Sequence, residues 1–199
     1  MTRLLAALLI GALTLLPTSV IGGSPRILQS LDILRVETPY GSGTCSTSSV
    51  GHKTWLTAAH CVSDLGAVTI GGQLAFPYVI DIKNDLALLV APFNSKPALR
   101  LAKKAPDYGD RVYMAGYPRG IGPLVVSGEV ASPAVAWPIF GLRMTLRSGG
   151  CQGNSGSPIT NTQNELVSVL QLGMDAPCSP LMGGSTFQVL KMFLEKYLQ

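Results

Sequence analysis

Short apolar or alternating runs recur along most of the chain: Ile33 to Val36, Val68 to Ile70, Phe76 to Ile82, Leu86 to Ala91, Val112 to Ala115, Val125 to Val130, Leu142 to Leu146 and Leu166 to Leu172. Gly, Pro, Ser or Asn bounds each run, which marks turns between them. The pattern predicts an all-β protein, a sandwich or a barrel. The tail departs from it. Leu190, Phe193, Leu194, Tyr197 and Leu198 repeat at helical spacing, with Lys191, Glu195 and Lys196 between them. This predicts a short amphipathic C-terminal α-helix over about 189–198, whose apolar stripe packs on the core. A polar stretch from Lys103 to Asp110 separates two strand-rich halves, and no internal repeat or low-complexity tract interrupts them.

The first residues follow another rule. Arg3 precedes an apolar run from Leu4 to Leu16, and small residues come next. This is the layout of a secretory signal peptide, and the run is shorter than the roughly 20 residues of a membrane span. The expectation is a leader over residues 1–22, cleaved near Gly22, with the mature chain secreted or periplasmic and without stable membrane association. An uncleaved N-terminal anchor is the alternative.

Composition narrows the class. Apolar residues make up 47% of the chain and charged residues 13%, enough for a sizeable core and too apolar for bulk disorder. The net charge of +4 comes without any Lys/Arg run, so no nucleic-acid stripe is expected. Four cysteines suit an oxidising compartment and allow three pairings. They lack paired C-x-x-C spacing, and neither His52 nor His60 stands in a metal-ligand arrangement, so neither a metal nor a cofactor is expected.

Three fragments carry chemistry. His60 lies in Thr57-Ala58-Ala59-His60-Cys61, Asp85 in Asn84-Asp85-Leu86-Ala87-Leu88-Leu89, and Ser155 in Gly153-Asn154-Ser155-Gly156-Ser157-Pro158. A serine hydroxyl is a poor nucleophile at neutral pH until a histidine takes its proton. The imidazole in turn needs a carboxylate to hold its tautomer and stabilise the imidazolium. The N–H groups of Gly153 and Ser155 can converge on one point as an oxyanion hole, and glycine at 153 tolerates the backbone angles of such a turn.

The sequences TAAHC, DLALL and GNSGSP, in this order, resemble the His, Asp and Ser motifs of chymotrypsin-like (trypsin-like) serine peptidases, from about Arg26 to the end of the chain. The resemblance implies two antiparallel six-stranded β-barrels with a C-terminal helix and a triad of His60, Asp85 and Ser155 in the cleft between them. It sets the N-terminal barrel at about 26–102 and the C-terminal barrel at about 108–186, within a peptidase domain over 23–199. It also implies two disulfides, Cys45–Cys61 beside the histidine and Cys151–Cys178 framing the specificity pocket.

Departures from the family are informative. Asn154 stands where digestive relatives carry an Asp that pairs with a newly cut N-terminus, so the faint Val20-Ile21-Gly22-Gly23 echo of a mature terminus carries little weight. GNSGSP is similar to the motif of bacterial glutamyl endopeptidases, and the short intervals between motifs resemble minimal bacterial and viral members. Aligned on the family, the pocket has Gly149 at its base and Leu172, Gly173 and Gly184 as walls. With no acid and no pocket histidine there, the expected P1 residue is medium to large and apolar. Gln171 replaces a serine behind the triad Asp.

The reading is therefore a secreted serine endopeptidase acting through an acyl-enzyme on protein or peptide substrates, as a monomer. The alternatives are an inactive peptidase-like binding protein and an HtrA-type protease or chaperone, for which the chain has no room for a PDZ domain.

Overall fold

The computed structural model describes residues 25–39, 41–63, 66–93, 96–174 and 177–198. The predicted leader, its cleavage near Gly22 and the Val20–Gly23 echo lie outside the described residues. A short helix α1 (Pro25–Ser30) leads into six strands: β1 (Leu31–Thr38), β2 (Gly41–Gly51), β3 (Thr54–Thr57), β4 (Ala67–Ile70), β5 (Gln73–Asp81) and β6 (Leu86–Val90). They close into a barrel in the order β1-β2-β3-β6-β5-β4. Six more follow: β7 (Arg111–Gly116), β8 (Leu124–Trp137), β9 (Gly141–Cys151), β10 (Pro158–Thr160), β11 (Leu166–Gly173) and β12 (Cys178–Gly184). They close in the equivalent order, β10-β11-β12-β9-β8-β7. Every strand pair is antiparallel. Topology thus repeats where sequence does not. The two closed six-stranded barrels and the C-terminal helix form the chymotrypsin-like fold.

The apolar runs become strands because their alternate residues serve two cores. In β6, Ala87 and Leu89 point into the first barrel with Leu34, Trp55 and Ile70. Leu86 and Leu88 face the other way, into a cluster between the barrels with Leu56, Leu166 and Val169. A strand buried on both faces reads as a continuous apolar run. The second barrel fills with Val112, Met114, Val130, Met144, Leu146, Ile159, Val167 and Leu170.

The helix α2 (Phe187–Tyr197) caps the inter-barrel cluster with Leu190, Phe193 and Leu194. Each such side chain contributes about 1.5–3 kcal/mol by leaving water. The helix starts two residues earlier than its periodicity predicts, because the Thr186 side chain accepts a hydrogen bond from the Val189 N–H and caps the first turn. Among the described residues no helix is long and apolar enough to cross a membrane.

The sequence pattern passed over β2. Its Ser46, Thr47, Ser48 and Ser49 are fully buried. Three of their hydroxyls donate to backbone carbonyls: Ser46 to Gly153 (2.9 Å), Thr47 to Leu56 (2.9 Å) and Ser49 to Lys96 (2.8 Å). These bonds offset the cost of burying polar groups.

Candidate active site

His60 sits in a single 3-10 turn, Ala59–Cys61, directly after β3. The Cys45–Cys61 disulfide ties this turn to β2. Asp85 ends the turn between β5 and β6, with φ of 53°, in the left-handed region that only a held backbone keeps. Its carboxylate spans the histidine: Nδ1 lies 3.0 Å from Oδ1 and 2.9 Å from Oδ2, and the His60 backbone N–H donates to Oδ1 at 2.9 Å. A carboxylate on Nδ1 leaves Nε2 as the proton-accepting nitrogen.

Gln171 lies behind Asp85, as expected, and bonds to its backbone. Its Nε2 donates to the backbone carbonyls of Asn84 (2.7 Å) and Asp85 (2.8 Å). From the second barrel it clamps the backbone of the left-handed residue. Within the first barrel, Asp81 takes the Asn84 backbone N–H (3.1 Å) and its side-chain amide (2.7 Å).

Ser155 lies in the turn between β9 and β10, flanked by Gly153 and Gly156 with φ of 93° and 81°. A Cβ at Gly153 would strike the carbonyl of Tyr117, and one at Gly156 the carbonyl of Ser46. The turn's carbonyls are engaged. Gln152 O accepts from the Arg119 N–H (2.6 Å), Asn154 O from Ser157 (2.9 Å) and Ser155 O from Ser46 (2.8 Å). A trans peptide points its N–H opposite its carbonyl. The Gly153 N–H is therefore turned away from Arg119, and the Ser155 N–H away from Ser157. Neither has an acceptor among the described residues. Nor does a hydrogen bond join the Ser155 hydroxyl to His60 there.

Two cavities meet at Leu172. One, of about 250 Å³, is lined by Ser155, Gly150, Gln152, Leu172, Gly173 and Met182 among others, none of them charged. The other, of about 530 Å³, is lined by His60, Asp85, Lys83, Phe140, Arg143, Gln171 and Leu172 among others. The Cys151–Cys178 disulfide joins β9 to β12 beside the Ser155 cavity.

The four residues predicted for the pocket fall in different surroundings. Leu172 and Gly173 line the Ser155 cavity, whereas Gly149 and Gly184 do not. Gly149 borders an adjoining apolar cleft with Leu124, Val126 and Pro180, which shares Gly150, Cys151 and Ser179 with the Ser155 cavity, and a Cβ there would meet open space. Gly184 packs against Ser168, Val169 and Ile159 inside the barrel. The residue that fills the floor is Met182, whose thioether lies close to both Gly150 and Gly173. Counting along the β9 strand could not reveal this, because a side chain from β12 enters between them. Arg143 was also missed. Nothing in Gly141-Leu142-Arg143-Met144 marks one arginine as buried.

A sequence model of the trypsin-like peptidase domain matches residues 41–169. The chain belongs to this family of trypsin-like peptidases, hydrolases of peptide bonds with a serine-protease fold. Solved structures with similar folds include the active form of the Rv3671c protease of M. tuberculosis. It has a TM-score of 0.75 and 20% identity, and the alignment covers 84% of this chain and 80% of that one. The inactive form of the same protease has a TM-score of 0.72 at 21% identity, covering 84% and 88%. An HtrA-type protease, AlgW, solved with a tripeptide, has a TM-score of 0.72 at 19% identity, covering 86% of this chain and 60% of that one. A search of curated proteins found no match. At these identities the structural likeness speaks for the fold, and the likeness of GNSGSP to glutamyl endopeptidases rests on the motif alone.

Proposed function

We propose that the protein is an exported serine endopeptidase in which Ser155 attacks the scissile carbonyl, His60 takes its proton through Nε2, and Asp85 orients the imidazole. The observation that carries the reading is the Asp85 carboxylate against His60 Nδ1, together with a serine in a glycine-bounded turn of the second barrel. The Gly153 and Ser155 N–H groups, directed away from the turn's own bonds, suit an oxyanion hole. The acyl-enzyme forms as Ser155 Oγ bonds to the carbonyl carbon, and the proton held on His60 passes to the departing amine. Water then attacks the ester with His60 again as base, releasing the acid and restoring the serine. Residues 1–22 are proposed as the export leader and 23–199 as the peptidase domain, working as a monomer. The two disulfides are in keeping with an oxidising compartment.

For P1, the cavity beside Ser155 favours an apolar side chain, since a buried cation or anion there would find no opposite charge. With Met182 on its floor, Leu and Met fit better than Phe and Tyr. The test of the reading is kcat/KM on a panel of peptides for the wild type and for Ser155→Ala. A loss of at least about 10³-fold, with folding intact, is expected. An alanine variant of near wild-type activity contradicts it. A wild type that binds peptides without turnover favours a peptidase-like binding protein.

A further inference from the structure

We infer that the cavity beside His60 is a carboxylate-binding subsite, in which Arg143 receives an Asp or Glu side chain at the second to fourth residue on the acyl side of the scissile bond (P2 to P4). The position along the substrate rests on the peptidase reading above. The P1 cavity and this one share Leu172 as a wall, so the chain that places P1 beside Ser155 continues over Leu172 toward Arg143. A third cavity, lined by His60, Cys45 and Cys61, does not share that wall and suits the leaving-group side.

Arg143 is 8% exposed, and its Nε is buried without a partner. One terminal nitrogen donates to the carbonyl of Leu142 at 2.9 Å. Among the described residues no carboxylate lies within ion-pair distance of it. Arg147, four residues along β9, shows the ordinary arrangement: exposed, and 3.6 Å from Glu129. A guanidinium stays charged at any working pH, and burying one without an anion is costly. Burial pushes its pKa down, and only the charge of Asp85 opposes that shift. Both Asp85 oxygens already face His60 Nδ1. The cavity thus holds two basic side chains, Arg143 and Lys83, and one acid, whose oxygens face His60. An incoming carboxylate would supply the missing acceptor, in the charge-assisted geometry that guanidinium favours. Exposed Ile82, Ile139 and Phe140 border the cavity and offer apolar contact to the stem of such a side chain.

The test is a set of fluorogenic tetrapeptides with Leu at P1, carrying Glu, Gln or Lys in turn at P2, P3 and P4. At one position the wild type should prefer Glu over Gln by at least about 10-fold in kcat/KM, with Lys poorest. Arg143→Met should bring the Glu-to-Gln ratio close to one, and Arg143→Lys should keep part of it. Binding of the same peptides to Ser155→Ala, by calorimetry, reads the subsite without turnover and so separates its failure from failure of the peptidase reading. A wild type with equal rates and equal binding for Glu and Gln at all three positions overturns the inference, and that comparison needs no substitution at Arg143. A Glu preference that survives unchanged in a folded Arg143→Met also overturns it. A uniform loss of activity on every peptide, with the ratio unmoved, assigns Arg143 to the support of Asp85 instead.

Discussion

In the first barrel the groups that face the cleft are side chains, and side-chain bonds hold them. Asp85 grips His60 at both the ring and the backbone, and Asp81 fixes the turn that carries Asp85. In the second barrel the corresponding work falls to the backbone. Ser155 is positioned by a turn whose carbonyls are bonded and whose two glycines have no room for a Cβ. The difference teaches where each half is vulnerable. The first should fail when a functional group changes at constant shape, the second when shape changes at constant chemistry. Gln171 crosses between them, a second-barrel amide bonded to first-barrel carbonyls.

The largest expected effect breaks the first half. Asp85→Asn keeps the shape and removes the charge, and should lower kcat by about 10⁴-fold with little change in thermal unfolding. A drop below 10-fold would mean that Asp85 does not orient His60. Next comes the second half. Gly153→Ala keeps the chemistry and adds one methyl where φ is 93° and the Tyr117 carbonyl is in the way. Displacing an oxyanion donor should lower kcat by about 10²–10³-fold, and the melting temperature should fall with it. Unchanged activity and stability would show that the turn has slack. Gln171→Ala should cost about 10-fold in kcat with a smaller change in KM, because it loosens the Asp85 backbone. A change in KM alone would make Gln171 a substrate contact. The smallest effect is on selectivity. Met182→Ala should move the P1 preference from Leu toward Phe, within the 10–200-fold range that a methylene or two controls. A P1 profile that Met182→Ala leaves in place would put the pocket floor elsewhere.

The same contrast decides what could be read from the chain. The strands with a buried alternation or a doubly buried run, such as β1, β6 and β11, were legible because burial writes itself into hydrophobicity. The β2 strand was not, since its inward residues are serines and threonine whose cost is offset by hydrogen bonds to distant carbonyls. The candidate trio of His60, Asp85 and Ser155 stands out in the sequence because each lies in a compact motif. The lining of the cavity beside Ser155 is half legible in the sequence. Leu172 and Gly173 follow in sequence from the strand that forms its wall. Met182 and Arg143 come from other strands, and their orientation is set by barrel closure, to which local sequence is blind. The β9–β12 register pairs Cys151 with Cys178 and Leu146 with Met182, and shifts between Ser179 and Leu181. Such an irregularity defeats counting along a strand.

The most direct measurement of the central claim is intact-mass and peptide-mapping analysis after treatment with a serine-reactive phosphonate bearing Leu as its P1 group. The account predicts one adduct per molecule, located on Ser155, absent from Ser155→Ala and strongly slowed in His60→Ala, because only a serine deprotonated by the histidine reacts at a useful rate. An unmodified wild-type protein, or an adduct on another residue that persists in Ser155→Ala, would contradict it.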